Sequence, residues 1–76
     1  MERISVEAWP RVRLRFHAGL KREREASGLS QRHLAQSCGC SHSTISKIEA
    51  GLLLPSHRMA TRLATGLGVR VEELVR

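Results

Sequence analysis

From residue 16 onward, apolar side chains recur every three or four positions, and glycines interrupt the pattern. This spacing places the apolar side chains on one face of an α-helix. Ser30 and Ser41 stand where their hydroxyls can cap the start of a helix, and Gly39 can form the sharp turn between them. The pattern predicts five helices. Four of them have clear limits or starts: residues 16–27, 31–38 and 42–49, and a short last turn at 71–74. The remaining helix starts at Pro55 and Ser56 and is closed by Gly66 and Gly68.

The positions predicted to face inward are almost all aliphatic, because 41% of the residues are apolar but only 3% are aromatic. A chain of 76 residues makes one domain with a small core. The residues predicted to face that core are Phe16, Leu20, Leu34, Ala35, Cys38, Ile45, Ile48, Met59, Leu63 and Leu67.

Residues 1–15 show a different pattern, in which apolar and polar side chains alternate on both sides of Pro10. A period of two indicates extended structure, while a proline at the first position of a helix is typical of an N-terminal extension of the first predicted helix. Both remain open here. With either structure, we expect this segment to be an arm outside the helical core. The arm carries Arg11, Arg13 and Arg15.

The chain is strongly basic, with 13 lysines and arginines against 7 acidic residues and a formal net charge of +6. Such a balance is typical of proteins that bind polyanions, although it does not separate DNA from RNA or an anionic membrane surface. A solvated basic surface without a partner is the other interpretation. No apolar run is long enough for a signal peptide or a membrane span, so the cytoplasm is the expected location.

Residues 31–49 meet the packing requirements of a helix-turn-helix. The turn needs a glycine, the first helix needs a small residue where the second crosses it, and the second needs branched apolar residues facing inward. Gly39, Ala35 and the pair Ile45 and Ile48 satisfy these needs at the right spacing. Two helices held this closely, with hydroxyls, a histidine and a lysine on the outer one, have a shape that fits a DNA major groove.

Residues 20–74 resemble the lambda-repressor and Cro family, also called the xenobiotic-response-element type of helix-turn-helix regulators. The resemblance implies an all-α, compact five-helix DNA-binding domain at 16–76, with its helix-turn-helix at 31–49 and the arm at 1–15 before it. It also implies a symmetric dimer that binds operator DNA. The matching residues are Leu20, Arg24, Gly28-Leu29-Ser30-Gln31, Leu34-Ala35, Gly39, Ser41, Ser43-Thr44-Ile45-Ser46, Ile48-Glu49, Gly51, Pro55-Ser56, Leu63-Ala64, Leu67-Gly68-Val69 and Leu74.

By the same resemblance, Gln31 would hold a DNA phosphate together with the helix N-terminus. Ser41 would also lie nearer the DNA backbone. Arg32 departs from the family, which commonly has an acidic residue there, and we expect it to add positive charge beside a DNA phosphate. We also expect the three arginines of the arm to add phosphate or minor-groove contacts. Each base-reading side chain can donate a hydrogen bond to a base edge or a phosphate, with an ordinary solvated helix surface as the alternative. The implied base-reading residues are His42, Ser43, Lys47 and, nearer the backbone, Thr44.

Arg24 and Glu49 match family positions where such a pair ties the first helix to the end of the recognition helix. We interpret both as structural, with a DNA contact by Arg24 as the alternative. The other residues expected to serve the fold are Ala35, Gly39, Ile45 and Ile48.

Three consecutive leucines, Leu52, Leu53 and Leu54, follow the recognition helix where family members usually have basic or polar residues. Leaving them in water is costly, so we expect them to contact a dimer partner or the arm. Our hypothesis is that they build the dimer interface together with the C-terminal residues, among them Val69 and Val71.

Cys38, Cys40, His33 and His42 cluster around one turn and raise the alternative of a metal or redox site. Both cysteines occupy positions that the family fills with buried aliphatic residues, and their spacing lacks a second pair of ligands. We therefore expect no metal and no cofactor.

The chain contains no aspartate, no phosphate-binding glycine loop and no nucleophile with a base, so we expect no catalytic residues and no enzyme activity. The favoured function is a phage or bacterial repressor that binds a palindromic operator in double-stranded DNA as a homodimer. The alternative is an antitoxin or another interaction module of the same fold, with a protein partner such as a toxin or an antirepressor.

Overall fold

The computed structural model describes residues 4–76, and every regular element in that range is helical. Five helices from residue 16 onward confirm the predicted all-α class. They are preceded by one turn of α-helix and a short 3-10 helix. The elements are α1 (Trp9–Val12), the 3-10 helix (Arg13–Arg15), α2 (Phe16–Ala26), α3 (Gln31–Cys38), α4 (His42–Glu49), α5 (His57–Leu67) and α6 (Val71–Leu74).

Serine caps start the three central helices. The hydroxyls of Ser30, Ser41 and Ser56 accept hydrogen bonds of 3.0–3.1 Å from the backbone N–H three residues further on. Gly39 ends α3 with φ of 67°, in the left-handed region that favours glycine. These local signals place the starts of α3 and α4 where the sequence predicts them.

The core lies where α3 packs on α4 and α5, and where α2 packs on α4 and α6. It is aliphatic apart from two aromatic rings, as the composition predicts. Met59 and Leu67 are half-buried at its edge rather than inside it. The buried apolar residues are Trp9, Phe16, Leu20, Leu34, Ala35, Cys38, Ile45, Ile48, Ala60, Leu63, Ala64, Leu74 and Val75.

Two helical glycines allow close approach between helices. A Cβ on Gly19 would lie 1.8 Å from the carbonyl oxygen of Leu74, so α6 sits directly on the backbone of α2. A Cβ on Gly66 would lie 2.6 Å from Sγ of Cys38. The expectation that Gly66 closes α5 is wrong, because the helix runs to Leu67 and Gly68 forms the cap. At position 66, inside the helix, a glycine leaves the room that Cys38 of α3 occupies.

The expectation that the N-terminal segment lies outside the core is wrong for Trp9. Its side chain is buried, only 4% exposed, and its indole nitrogen donates a 3.0 Å hydrogen bond to the carbonyl of Pro55. The ring packs edge-on against Phe16 and His57, with centroids 5.6 and 5.8 Å apart. Burying so large a ring, with its polar N–H satisfied, holds the segment on the domain.

The backbone of Ile4 anchors the segment further. Its N–H donates to Oε1 of Glu72 at 3.1 Å, and its carbonyl lies 3.0 Å from Nε2 of His57. Between Ile4 and the 3-10 helix, the structure shows turns and one helical turn rather than the extended form that the alternation indicates. Residues 1–3, which the predicted arm includes, lie outside the described residues.

Candidate DNA-binding surface

A short turn at residues 39–41 joins α3 to α4, and hydrogen bonds from two directions hold it. The N–H of Cys40 donates to the carbonyl of Ala35 at 3.0 Å. From α5, the guanidinium of Arg62 donates to the carbonyls of Cys38 and Gly39. Sequence reasoning missed Arg62, because its partners are backbone oxygens 24 and 23 positions away and leave no trace in side-chain spacing.

Helix α4 has one buried face and one polar face. Ile45 and Ile48 are fully buried and fix the helix on the core. The outer face carries donors and acceptors that solvent, or a nucleic acid, can reach. Its exposed residues are His42, Ser43, Ser46 and Lys47, which include three of the four predicted base-reading residues.

The hydroxyls of Ser41 and Thr44, at the start of α4, contact each other. Oγ of Ser41 accepts from the backbone N–H of Thr44 and lies 2.8 Å from the Thr44 hydroxyl. Thr44 is half-buried, whereas Ser41 is exposed. Ser41 therefore caps the helix, and its O–H can donate to a phosphate when the Thr44 hydroxyl is the donor of their mutual hydrogen bond.

Gln31, the first residue of α3, connects the two ends of α4. Its Nε2 donates to Oε1 of Glu49 at 3.0 Å, and its Oε1 lies 2.9 Å from Nε2 of His42. The residue expected to hold a phosphate thus also touches the first base-reading candidate. One hydrogen on Nε2 remains for a further acceptor.

Arg24 and Glu49 form a two-pronged ion pair, with Nε–Oε2 of 2.6 Å and Nη2–Oε1 of 3.0 Å. The third guanidinium nitrogen donates to the carbonyl of Leu29 at 2.8 Å. The side chains are only 12% and 4% exposed. All three nitrogens of Arg24 are therefore engaged inside the domain, which favours the structural interpretation over a DNA contact.

The charges of this pair are mutually stabilised. Burial alone would raise the pKa of Glu49, but hydrogen bonds from Arg24 and Gln31 outweigh it, so the pKa lies below its ordinary value. The hydrogen bond to Glu49 raises the pKa of Arg24 in turn, against the opposing effect of burial. The end of α4 is consequently tied to α2 by an ionised, bidentate contact.

The basic residues predicted to contact DNA phosphates are all exposed. Arg32 lies on the first turn of α3. The remaining three, Arg11, Arg13 and Arg15, lie on α1 and the 3-10 helix, in the segment that Trp9 docks beside Pro55. The predicted arm therefore runs next to the loop that follows the recognition helix.

The leucines of that loop remain largely uncovered. Leu52 is 79% exposed, and Leu53 and Leu54 are also exposed. Val69 and Val71 are half-buried. They line a groove of about 410 Å³ together with Ile4 and residues of α5 and α6. The N-terminal segment touches both regions, since Trp9 contacts Pro55 beside the leucines and Ile4 lines the groove.

The two cysteines pack as small apolar residues. Cys38 is buried, Cys40 is half-buried, and both are free thiols. Burial raises the pKa of the Cys38 thiol. Among residues 4–76, no group of three or more potential ligands is placed to hold a metal ion.

An all-helical domain whose second and third long helices meet at a glycine turn, with a polar outer face on the third, is a helix-turn-helix DNA-binding domain. Residues 16–76 match the family model described as "Helix-turn-helix domain". The chain belongs to this family.

Solved structures of transcription regulators share the fold. The restriction-modification controller protein C.AhdI from Aeromonas hydrophila is 34% identical, with a TM-score of 0.76 over 80% of this chain and 92% of its own. An HTH_3 family transcriptional regulator from Vibrio cholerae is 26% identical, with a TM-score of 0.78 over 84% of this chain and 36% of its own. The clp gene regulator ClgR from C. glutamicum is 25% identical, with a TM-score of 0.78 over 83% and 82%. A comparison with curated protein sequences returned no significant match.

These findings identify a transcription regulator of the helix-turn-helix type, whose partner is DNA. The resemblance to Cro-like regulators and the expectation that the chain is not an enzyme agree with them. Within residues 4–76, no helix is long and apolar enough to cross a membrane.

Proposed function

We propose that the chain is a bacterial or phage repressor of transcription. It acts in the bacterial cytoplasm as a homodimer on a palindromic operator. The observation that carries the proposal is the outer face of α4, where His42, Ser43 and Lys47 are exposed together while the opposite face is buried. In this role the three side chains read base edges in the major groove, with Thr44 nearer the backbone.

Phosphate contacts orient the domain on the duplex. Gln31 and Ser41 stand at the starts of the two helices of the motif. Gln31 keeps one amide hydrogen for an anionic oxygen, and Ser41 offers its hydroxyl hydrogen when the Thr44 hydroxyl donates to it. Arg32 adds charge beside them. Arg11, Arg13 and Arg15 reach the backbone from the N-terminal segment, and the net charge of +6 supports such contacts.

A homodimer places two copies of α4 in successive major grooves, roughly 34 Å apart. The apolar surface available for it comprises the exposed leucines 52–54 together with Val69 and Val71. Charged DNA offers no apolar contact for three exposed leucines, whereas a second copy could remove them from water, so their exposure in the single chain supports a dimer.

The likeness to C.AhdI, at 34% identity over 92% of that chain, favours one biological role among those open to a repressor. We infer that the chain is a controller of a restriction-modification system. The operator is then expected in the promoter region of such genes, and a site found only elsewhere would contradict this role.

The function is tested by selecting bound sites from random duplex DNA and measuring affinity for the result. Lys47→Ala is expected to cost about 1–3 kcal/mol and to relax preference at one base pair in each half-site. Arg13→Ala, the matched control on the N-terminal segment, is expected to weaken binding to all sequences alike and to reduce the salt dependence.

Two results would contradict the proposal. If both variants weakened binding equally on every operator sequence, the base-reading assignment would be wrong. If no duplex were bound, and the chain instead formed a stable complex with a toxin or antirepressor, the fold would serve as a protein-interaction module.

A further inference from the structure

A continuous line of hydrogen bonds joins helix α2 to the start of the recognition helix. It runs from Arg24 to Glu49, from Glu49 to Gln31, and from Gln31 to His42. Each link is 2.9–3.0 Å long. The line ends on an exposed imidazole at the first position of α4. We call these four residues the α4 relay.

The direction of every hydrogen bond in the α4 relay follows from its first member. An arginine only donates, and an ionised carboxylate only accepts. Because Arg24 keeps Glu49 ionised, Oε1 of Glu49 accepts from both Arg24 and Gln31. The amide of Gln31 must therefore present its NH₂ group to Glu49, since the reversed amide would set two oxygens against each other.

This orientation leaves the carbonyl oxygen of Gln31 facing His42. A carbonyl oxygen carries no hydrogen, so the bond to Nε2 of His42 exists only if that nitrogen carries one. In a neutral imidazole the other nitrogen, Nδ1, is then an acceptor. The tautomer of neutral His42 thus follows from its contact with Gln31, whose orientation follows from Glu49 and Arg24.

We propose that the α4 relay holds neutral His42 in the Nε2–H tautomer, so that Nδ1 reads an exocyclic amino group, adenine N6 or cytosine N4, in the major groove. These are the donors that bases present there, whereas guanine and thymine present acceptors. The proposal rests on the proposed function for its DNA half. In it Gln31 is a positioning residue, and His42 accepts a hydrogen bond where the sequence alone suggests that it donates one.

The first half of the test needs no DNA. Nitrogen-edited NMR spectra of the ¹⁵N-labelled chain at about pH 8.5, where imidazoles are neutral, report which ring nitrogen carries the hydrogen. For His42 we expect Nε2 at the protonated position and Nδ1 at the unprotonated position. Gln31→Met removes both amide atoms, and with them the hydrogen bond to Glu49, but leaves both charged groups of the ion pair in place. It should shift Nδ1 toward the protonated position as the second tautomer appears.

Glu49→Gln provides a second route to the same readout, because a neutral amide at position 49 permits Gln31 to reverse. The Nδ1–H form of His42 is expected to rise there too. Ser43→Ala, next to His42 but outside the α4 relay, is the matched control and should leave the ring spectrum unchanged. The proposal is overturned if His42 of the wild type is found as the Nδ1–H tautomer. It is also overturned if Gln31→Met leaves the tautomer of His42 unchanged.

The second half uses the duplex selected from random DNA. The base pair read by His42 is the one whose preference disappears in His42→Ala. Replacing its adenine by purine, or its cytosine by an analogue without the amino group, is expected to weaken wild-type binding about fivefold and to leave His42→Ala unaffected. Replacing its purine by the 7-deaza analogue, which lacks the N7 acceptor, should have no such effect.

The outcomes separate the two proposals. A loss with the 7-deaza analogue, and none on removing the amino group, overturns the acceptor role of Nδ1. Failure to bind any duplex overturns the proposed function, while the tautomer measured without DNA still decides whether the α4 relay exists.

Discussion

Arg24 on α2 and Glu49 at the end of α4 bind each other through two hydrogen bonds, of 2.6 and 3.0 Å, although they lie 25 residues apart in the sequence. Both side chains are nearly buried. The pair ties α2 to the end of α4, whose outer face is the proposed DNA-contacting surface, so its ionisation should affect both stability and DNA binding.

Acid should destabilise the protein through Glu49. The pKa of this carboxyl is lower in the folded chain than in the unfolded one, so its contribution is complete above the ordinary pKa of glutamate. It is lost as pH falls from there, about 4.3, through the folded value. Urea unfolding across this range should show a steeper decline for the wild type than for Glu49→Gln.

At neutral pH, Glu49→Gln should itself cost about 3 kcal/mol, because it leaves a nearly buried guanidinium without its counter-charge. Glu25→Gln changes an exposed carboxylate on α2 and serves as the control, with an expected change within about 0.5 kcal/mol. Equal stability of the two variants would mean that the ion pair contributes nothing.

Removing the indole of Trp9 should destabilise the whole domain. Trp9→Ala is expected to cost about 3–5 kcal/mol, since it leaves a cavity beside Phe16 and His57. Trp9→Phe keeps a ring but loses the hydrogen bond to Pro55, and should cost less. Leu14→Ala, on the same segment but 64% exposed, is the control for chemical denaturation; a cost equal to that of Trp9→Ala would refute the docking.

Arg62 should matter for DNA binding without touching DNA. Arg62→Met removes the donor that holds the carbonyls of Cys38 and Gly39, and so loosens the turn between α3 and α4. We expect a loss of stability of about 1–2 kcal/mol and weaker operator binding. Arg58→Met alters an exposed arginine on the same helix. If the Arg58 variant bound DNA as weakly as the Arg62 variant, loss of positive charge alone would explain both.

A charge on the leucine loop should impair dimer formation. Leu53→Glu is expected to lower the dimer population in sedimentation equilibrium and to weaken operator binding in parallel. Gln36→Glu adds the same charge to an exposed position on α3 and should leave the dimer intact. An unchanged dimer in Leu53→Glu would place the interface elsewhere.

The sequence predicts the central helices closely because their limits are local. Ser30, Ser41 and Gly39 form their capping hydrogen bonds with residues at most four positions away. For this reason α3 and α4 begin and end where the pattern indicates. The sequence predicts that Gly66 ends a helix, but the role of this glycine is not local. It leaves space for Cys38, 28 positions earlier, and the sequence does not show that these two residues meet.

The candidate site divides in the same way. Exposure of His42, Ser43 and Lys47 follows from helical periodicity around Ile45 and Ile48. The contact between Gln31 and His42 depends on how α3 crosses α4, and the burial of Trp9 depends on a carbonyl 46 residues away. The alternating polarity of the N-terminal segment indicates extended structure, but the contact of Trp9 with this distant carbonyl favours turns and a helical turn instead.

Trp9 is the single tryptophan of the chain. Its indole sits where the N-terminal segment, α2 and the loop after α4 meet, so its fluorescence emission reports one junction rather than the average of the molecule. Helix content measured by circular dichroism reports α2 to α6 instead. A red shift in emission that precedes the loss of helix on heating would show the segment detaching first, and coincident curves would show that it unfolds with the domain. The protein thus carries its own optical probe beside its proposed DNA-contacting surface.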